Sequence, residues 1–103
     1  MSDRELLELA AKAAGIDAHV TEWSSTVEDD EGDYLKPWNP ITDDGDALRL
    51  AVKLGLTVTP NYHVEQRSLG VIVFTELADS EDSCTATRRA IVRAAAEIGR
   101  NIK

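Results

Sequence analysis

A chain of 103 residues has room for one hydrophobic core and too few residues for two. It is 43% hydrophobic but only 5% aromatic, so that core must come from Leu, Val, Ile and Ala, and its net charge of −8 disfavours general binding to phosphate backbones. No apolar run reaches the roughly 20 residues of a membrane-spanning helix.

The expectation is a soluble intracellular protein without a membrane partner. The N-terminus carries helix-capping residues where a signal peptide would have a basic and then an apolar segment. The single cysteine, Cys84, has no partner for an internal disulfide, which fits a reducing compartment. Charge is uneven along the chain. Residues 1–82 hold 18 acids and 6 bases, a net of −12, whereas residues 83–103 hold 1 acid and 5 bases, a net of +4.

Ser2-Asp3-Arg4-Glu5 is a capping box, so a first helix begins at once. Leu6, Leu9, Ala10 and Ala13 share one face, widened by Leu7 and Ala14, while Arg4, Glu8 and Lys12 line the other. Gly15 is its stop. A short strand is expected over residues 18–24, with Val20 opposed to His19, Thr21 and Trp23. Residues 25–36 then predict a flexible loop, because Glu28-Asp29-Asp30-Glu31-Gly32-Asp33 has five acids in six positions and no apolar area to bury.

Pro37 and Pro40 hold the chain extended around Trp38, so the second helix starts after them. Thr42 or Asp43 is its N-cap, and Asp43, Asp44 and Asp46 suit the positive end of the helix dipole. Ala47, Leu48, Leu50, Ala51, Val52 and Leu54 occupy most of its circumference, which predicts a centrally packed helix ending at Gly55. From Leu56 the period changes to two. Leu56, Val58, Tyr62 and Val64 alternate with polar residues in a half-buried strand that Pro60 places at an edge or breaks. Gln66-Arg67-Ser68 is a turn. Residues 69–74, apolar on both faces, are the expected centre of the sheet. A polar connection over residues 77–83 leads to a last helix beginning near Cys84 to Ala86. Ile91, Ala94, Ala95, Ile98 and Ile102 form its apolar side, and Arg89, Arg93 and Arg100 a basic stripe opposite.

The order α-β-α-β-β-α gives an α+β fold in a single domain, residues 1–103: a small, largely antiparallel three-stranded sheet packed with three helices, similar to an αβα sandwich. No internal repeat is visible.

Chemical motifs are sparse. The acidic runs lack the oxygen-ligand spacing of a calcium loop, which favours solvated loop and helix cap over a metal site. His19 and His63 are the only imidazoles, and on neighbouring strands they would face one another and, with Glu22 or Glu65, bind a metal or move a proton. Solvent-facing histidine on a wet sheet face is the simpler reading. Cys84 at a helix N-terminus has no surrounding nucleophile motif, and no glycine-rich phosphate loop or serine elbow occurs. No catalytic set, metal or cofactor is therefore expected. Trp38 and Tyr34, beside Glu28, Asp29, Asp30, Glu31 and Asp33, compose a partner-binding patch, the alternative being that Trp38 plugs the core. Arg89, Arg93 and Arg100 would serve nucleic acid or an acidic partner, or balance the protein's own acids, the last being preferred.

The run W-N-P-x-x-D-D-G-D-A-L-R-L-A-V-K-L-G at residues 38–55, with D-R-E-L-L-E-L-A-A-K-A-A-G at 3–15 and A-T-R-R-A-I-V-R-A-A-A-E-I-G at 86–99, resembles small proteins of tailed phages and prophages of Gram-negative bacteria. The blocks are similar to the phage family named for an alpha-beta-alpha sandwich domain and cover somewhat over half the chain. The resemblance implies a phage accessory role in the host cytoplasm and transfers no functional residue. The leading expectation is a non-enzymatic binding protein for a host partner, such as a basic defence nuclease or CRISPR effector. The alternatives are a small-molecule or nucleotide-binding or hydrolysing domain using His19 and His63, and nucleic-acid binding through the arginine stripe.

Overall fold

A computed structural model describes residues 2–21, 25–27, 36–59, 63–74 and 82–102. Among the described residues three α-helices and six short strands follow one another along the chain. They are α1 (Asp3–Ala14), β1 (Ala18–Val20), β2 (Ser25–Val27), β3 (Lys36–Pro37), α2 (Asp44–Leu54), β4 (Thr57–Thr59), β5 (His63–Gln66), β6 (Val71–Phe74) and α3 (Ser83–Arg100). The fold is α+β with antiparallel pairing throughout, as the patterning predicts.

Each helix begins where a short polar side chain takes up an orphan N–H. Ser2 Oγ accepts from the Glu5 N–H at 3.2 Å, Asp43 Oδ2 from Asp46 at 2.8 Å, and Asp82 Oδ1 from Thr85 at 2.7 Å. The ends of α1 and α2 are the same device. Gly15 and Gly55 turn left-handed at φ 68° and 66°, and the amides of the following residues, Ile16 and Leu56, reach back to Ala11 and Ala51 at 2.9 Å.

Two sheets stand where one was expected, ordered β1-β2-β3 and β4-β5-β6. The first appears because Ser25–Val27 is a strand and not loop. It pairs with β1 on one side and with Lys36–Pro37 on the other, and the Trp38 amide donates to Ser25 O at 3.0 Å. Pairing partners brought in from beyond the acidic run supply what the local composition of residues 25–36 does not show. Residues 28–35 lie outside the described residues. In the second sheet the strand expected from Leu56 to Glu65 is broken into the β4–β5 hairpin, with Val58 opposite Val64 and Thr59 opposite His63. Residues 60–62, with Pro60, lie outside the described residues.

The centre of the second sheet is β5, not the strand ending at Phe74. In β6, Val71 is buried while the next residue, Ile72, is 60% exposed, so its apolar character on both faces marks an open face.

The central helix is α3. It buries Ala86, Ala90, Ile91, Val92, Ala94, Ala95, Ala96, Ile98 and Gly99, and it packs against α1, α2, β5 and β6. Small side chains let backbones approach from several directions at once. The extreme is at Gly99, where a Cβ would sit 2.0 Å from the Leu9 carbonyl oxygen. The α1 face is correspondingly rotated from its expected centre: Leu6, Leu7, Ala10, Ala11 and Ala14 are buried, and Leu9 and Ala13 are half-buried. Expected at the centre, α2 instead buries Asp46, Ala47, Leu50 and Ala51 and leaves an apolar flank in water.

Candidate functional site

The candidate site is built around the entry to α2. Asp46, expected as a partner of the helix dipole, is buried and ties the preceding turn to the helix: its Oδ2 accepts from the Asn39 amide at 2.9 Å and its Oδ1 from Arg49 at 2.6 Å. Asn39 Oδ1 in turn accepts from the Ile41 amide at 3.0 Å. Arg88 of α3 then locks this turn to the hub helix. Its Nε donates to Ile41 O at 2.8 Å, one guanidinium nitrogen binds the Asp44 carboxylate, and the other donates to Thr85 Oγ1 at 3.0 Å. A guanidinium with three directed contacts and a side chain only 16% exposed fixes the spacing of the two helices at this end.

Beside that clamp, α2, α3 and β4 leave an open groove of 530 Å³. Its buried lining is Ala47, Ala51 and Ile91, and its exposed margin is Leu48, Val58 and Cys84. Asp44, Ser83, Thr87 and Arg88 supply the polar lining. The alanines open the space, because a larger residue at Ala47 or Ala51 would fill it. Leu48 is 64% exposed, Val52 one turn further on is 72% exposed, and Val58 is 39% exposed. Val58 faces the same way as the fully buried Val64 opposite it, and is less covered because β4 is the edge of its sheet. The arrangement suits contact with apolar groups bordered by a few hydrogen-bonding ones.

A second depression, 440 Å³, lies between α3 and β6 and is lined by Leu6, Ile72, Val73, Ala96, Arg93, Glu97 and Arg100. It gathers two of the three arginines expected to form a stripe. Arg100 pairs with Glu97 at 3.1 Å, and Arg93 has no ion-pair partner among the described residues. Arg89 is half-buried and does not line this depression.

Of the expected aromatic and acidic patch, Glu28, Asp29, Asp30, Glu31, Asp33 and Tyr34 lie outside the described residues. Trp38 is 6% exposed and belongs to the core, and its carbonyl accepts from Ser25 Oγ. Burial accords with Trp38 as a plug, and it lines a small depression with Ile16, Asp17 and Val27. His19 and His63 stand on different sheets, on β1 and β5, and not on neighbouring strands. His63 Nε2 lies 3.8 Å from Glu65 Oε2. Among the described residues no group of three or more His, Cys, Asp and Glu side chains is placed to hold a metal ion, and no helix is long and apolar enough to cross a membrane. The exposed residues Leu48 and Val52 had a signal in the sequence: α2 carries more apolar circumference than one packing face uses. Comparison of the chain with protein-family models, with curated proteins and with solved structures returned no match.

Proposed function

We propose that this chain is a non-catalytic protein-binding domain that seats an apolar segment of a partner protein in the groove between α2, α3 and β4. The observation that carries the reading is the 64% exposure of Leu48 on the groove margin and the 72% exposure of Val52 one turn further along α2, a helix whose other side buries Ala47, Leu50 and Ala51. Apolar area kept in water adds nothing to the stability of its own domain, and contiguous patches of it mark interaction sites. A groove flanked by two helices fits an amphipathic helix laid in with anchors at i, i+3 or i+4, and i+7. A net charge of −8 and the aspartates at the helix starts, Asp43, Asp44 and Asp82, favour a basic partner. The phage accessory role implied by the three sequence blocks would make that partner a host protein in the cytoplasm. A basic nucleic-acid-binding protein, such as a defence nuclease or CRISPR effector, matches the charge.

The test compares the wild type with a Leu48→Asp/Val52→Asp double variant. Both positions are exposed, so the variant should melt within a few degrees of the wild type. Affinity capture from lysate of a defended Gram-negative host is expected to retain one dominant basic protein on the wild type alone. Expression of the wild type alone is expected to raise phage plaque counts on that host. The same retained protein on both baits, or no retained protein with unchanged plaque counts, would overturn the proposal. Concentration-dependent dimerisation abolished by the double variant would assign the face to a second copy and overturn it equally.

A further inference from the structure

The depression between α3 and β6 is separate from the groove and differs from it chemically. We infer that the open edge of β6, with Arg93 and Arg100, is a second docking site, and that its occupant is an acidic extended segment of a partner protein. Among the described residues β6 has one strand neighbour, β5, so the backbone groups on its other side are unpaired with any strand. Ile72 stands 60% exposed in that strand, and Leu6, Val73 and Ala96 extend the apolar part of the same surface. Arg93 and Arg100 follow each other at two turns on α3, about 10 Å along its axis, and both line this depression. Arg93 is exposed with no ion-pair partner among the described residues, and Arg100 shares its five donors with one carboxylate oxygen of Glu97 at 3.1 Å.

Among the described residues lining the depression, two guanidinium groups stand against one carboxylate, a local positive charge on a molecule whose total is −8. That inversion selects for anions at this spot. Nucleic acid would bring a row of phosphates against the remaining acidic surface, and it would leave the apolar half of the depression without a counterpart. A strand alternating acidic and apolar side chains satisfies all three elements. Its backbone adds to the β6 edge, its apolar side chains cover Ile72 and Leu6, and its carboxylates take the guanidinium forks in two-point contacts.

A labelled peptide alternating glutamate and valine is the probe, with a lysine–valine peptide and a single-stranded oligonucleotide of equal charge as the other arms. Fluorescence anisotropy is expected to show the acidic peptide binding at least tenfold more tightly than the basic one. Salt should weaken it, and Arg93→Glu/Arg100→Glu should lower its affinity at least tenfold. Amide shifts in a ¹⁵N spectrum of the wild type should concentrate in Val71–Phe74. Leu48→Asp/Val52→Asp leaves this binding unchanged, which separates its failure from that of the groove. Absence of acidic-peptide binding, shifts outside β6 and α3, or an oligonucleotide that binds more tightly with the same arginine dependence would each overturn the inference.

Discussion

Helices α2 and α3 invert the expectation that the more apolar helix is the more buried. In α2, Leu and Val fill most of the circumference, yet Leu48 and Val52 face water. In α3, where arginine and alanine dominate, half of the eighteen residues are buried. The difference lies in shape. Alanine contributes little transfer free energy per residue, but it lets a helix be approached closely on several sides, and α3 is met by α1, α2 and a sheet. Larger side chains on α2 hold neighbours away, so one side packs and the opposite side stays unmatched.

The sharpest test of this contrast is on α2 itself. Leu50→Ala, at a site 2% exposed, should lower unfolding free energy by about 3–5 kcal/mol in a denaturant melt. Val52→Ala, two residues on, should change it by less than about 0.5 kcal/mol. Equal losses at both positions would mean that the outer flank of α2 is packed in solution. On α3, Gly99→Ala pushes a methyl group against the Leu9 backbone, which cannot rotate away as a side chain would. The expected cost is about 3 kcal/mol, at the upper end for overpacking, read by the same melt. A neutral Gly99→Ala would break the picture of α3 as a closely approached hub.

Much of the fold was legible in the sequence, and the limits were physical. The caps and stops were local chemistry: Ser2, Asp43, Gly15 and Gly55 act within one turn of themselves, so their roles followed from spacing alone. Within the strand read from Leu56 to Glu65 a break was legible, but the antiparallel pairing of β4 with β5 was not. What could not be seen was partner geometry. Ser25–Val27 is a strand because β1 and Lys36–Pro37 lie on either side of it, and nothing in its own three residues says so. The burial of Trp38 and the exposure of Leu48 also depend on what stands opposite, and hydrophobic scales carry no record of that. Asp46 was read as a dipole partner for its helix, whereas its larger role is to hold Asn39, seven residues back. The arginine stripe was half visible, since helical spacing aligned three arginines and the sheet chose two.

The smallest expected effect concerns the start of α3. Hydrogen bonding from the Thr85 backbone amide, joined by the Thr85 hydroxyl and the nearby Arg88 guanidinium, holds the Asp82 carboxyl below the ordinary aspartate value of 3.8. Folding lowers this pKa, so the contribution is full above the unfolded value and disappears as pH falls through the folded one. Asp82→Asn keeps an acceptor and removes the charge. The wild-type advantage in melting temperature over this variant should therefore be constant near neutrality and shrink below about pH 4. An advantage unchanged at pH 2 would assign the cap wholly to neutral hydrogen bonding.

The contact between Gly99 and Leu9 also bears on the order of events in folding. This close approach is a seam joining two helices far apart along the chain, with both sheets and α2 threaded between them. Closing that seam costs the loop entropy of nearly the whole chain before the contacts repay it. During synthesis α1 emerges before α3, with Leu6, Leu7 and Ala10 lacking their eventual cover, and it must wait for that later helix. Its strong cap and its Arg4–Glu8 pair at 3.0 Å then stabilise a helix with nothing yet to pack against.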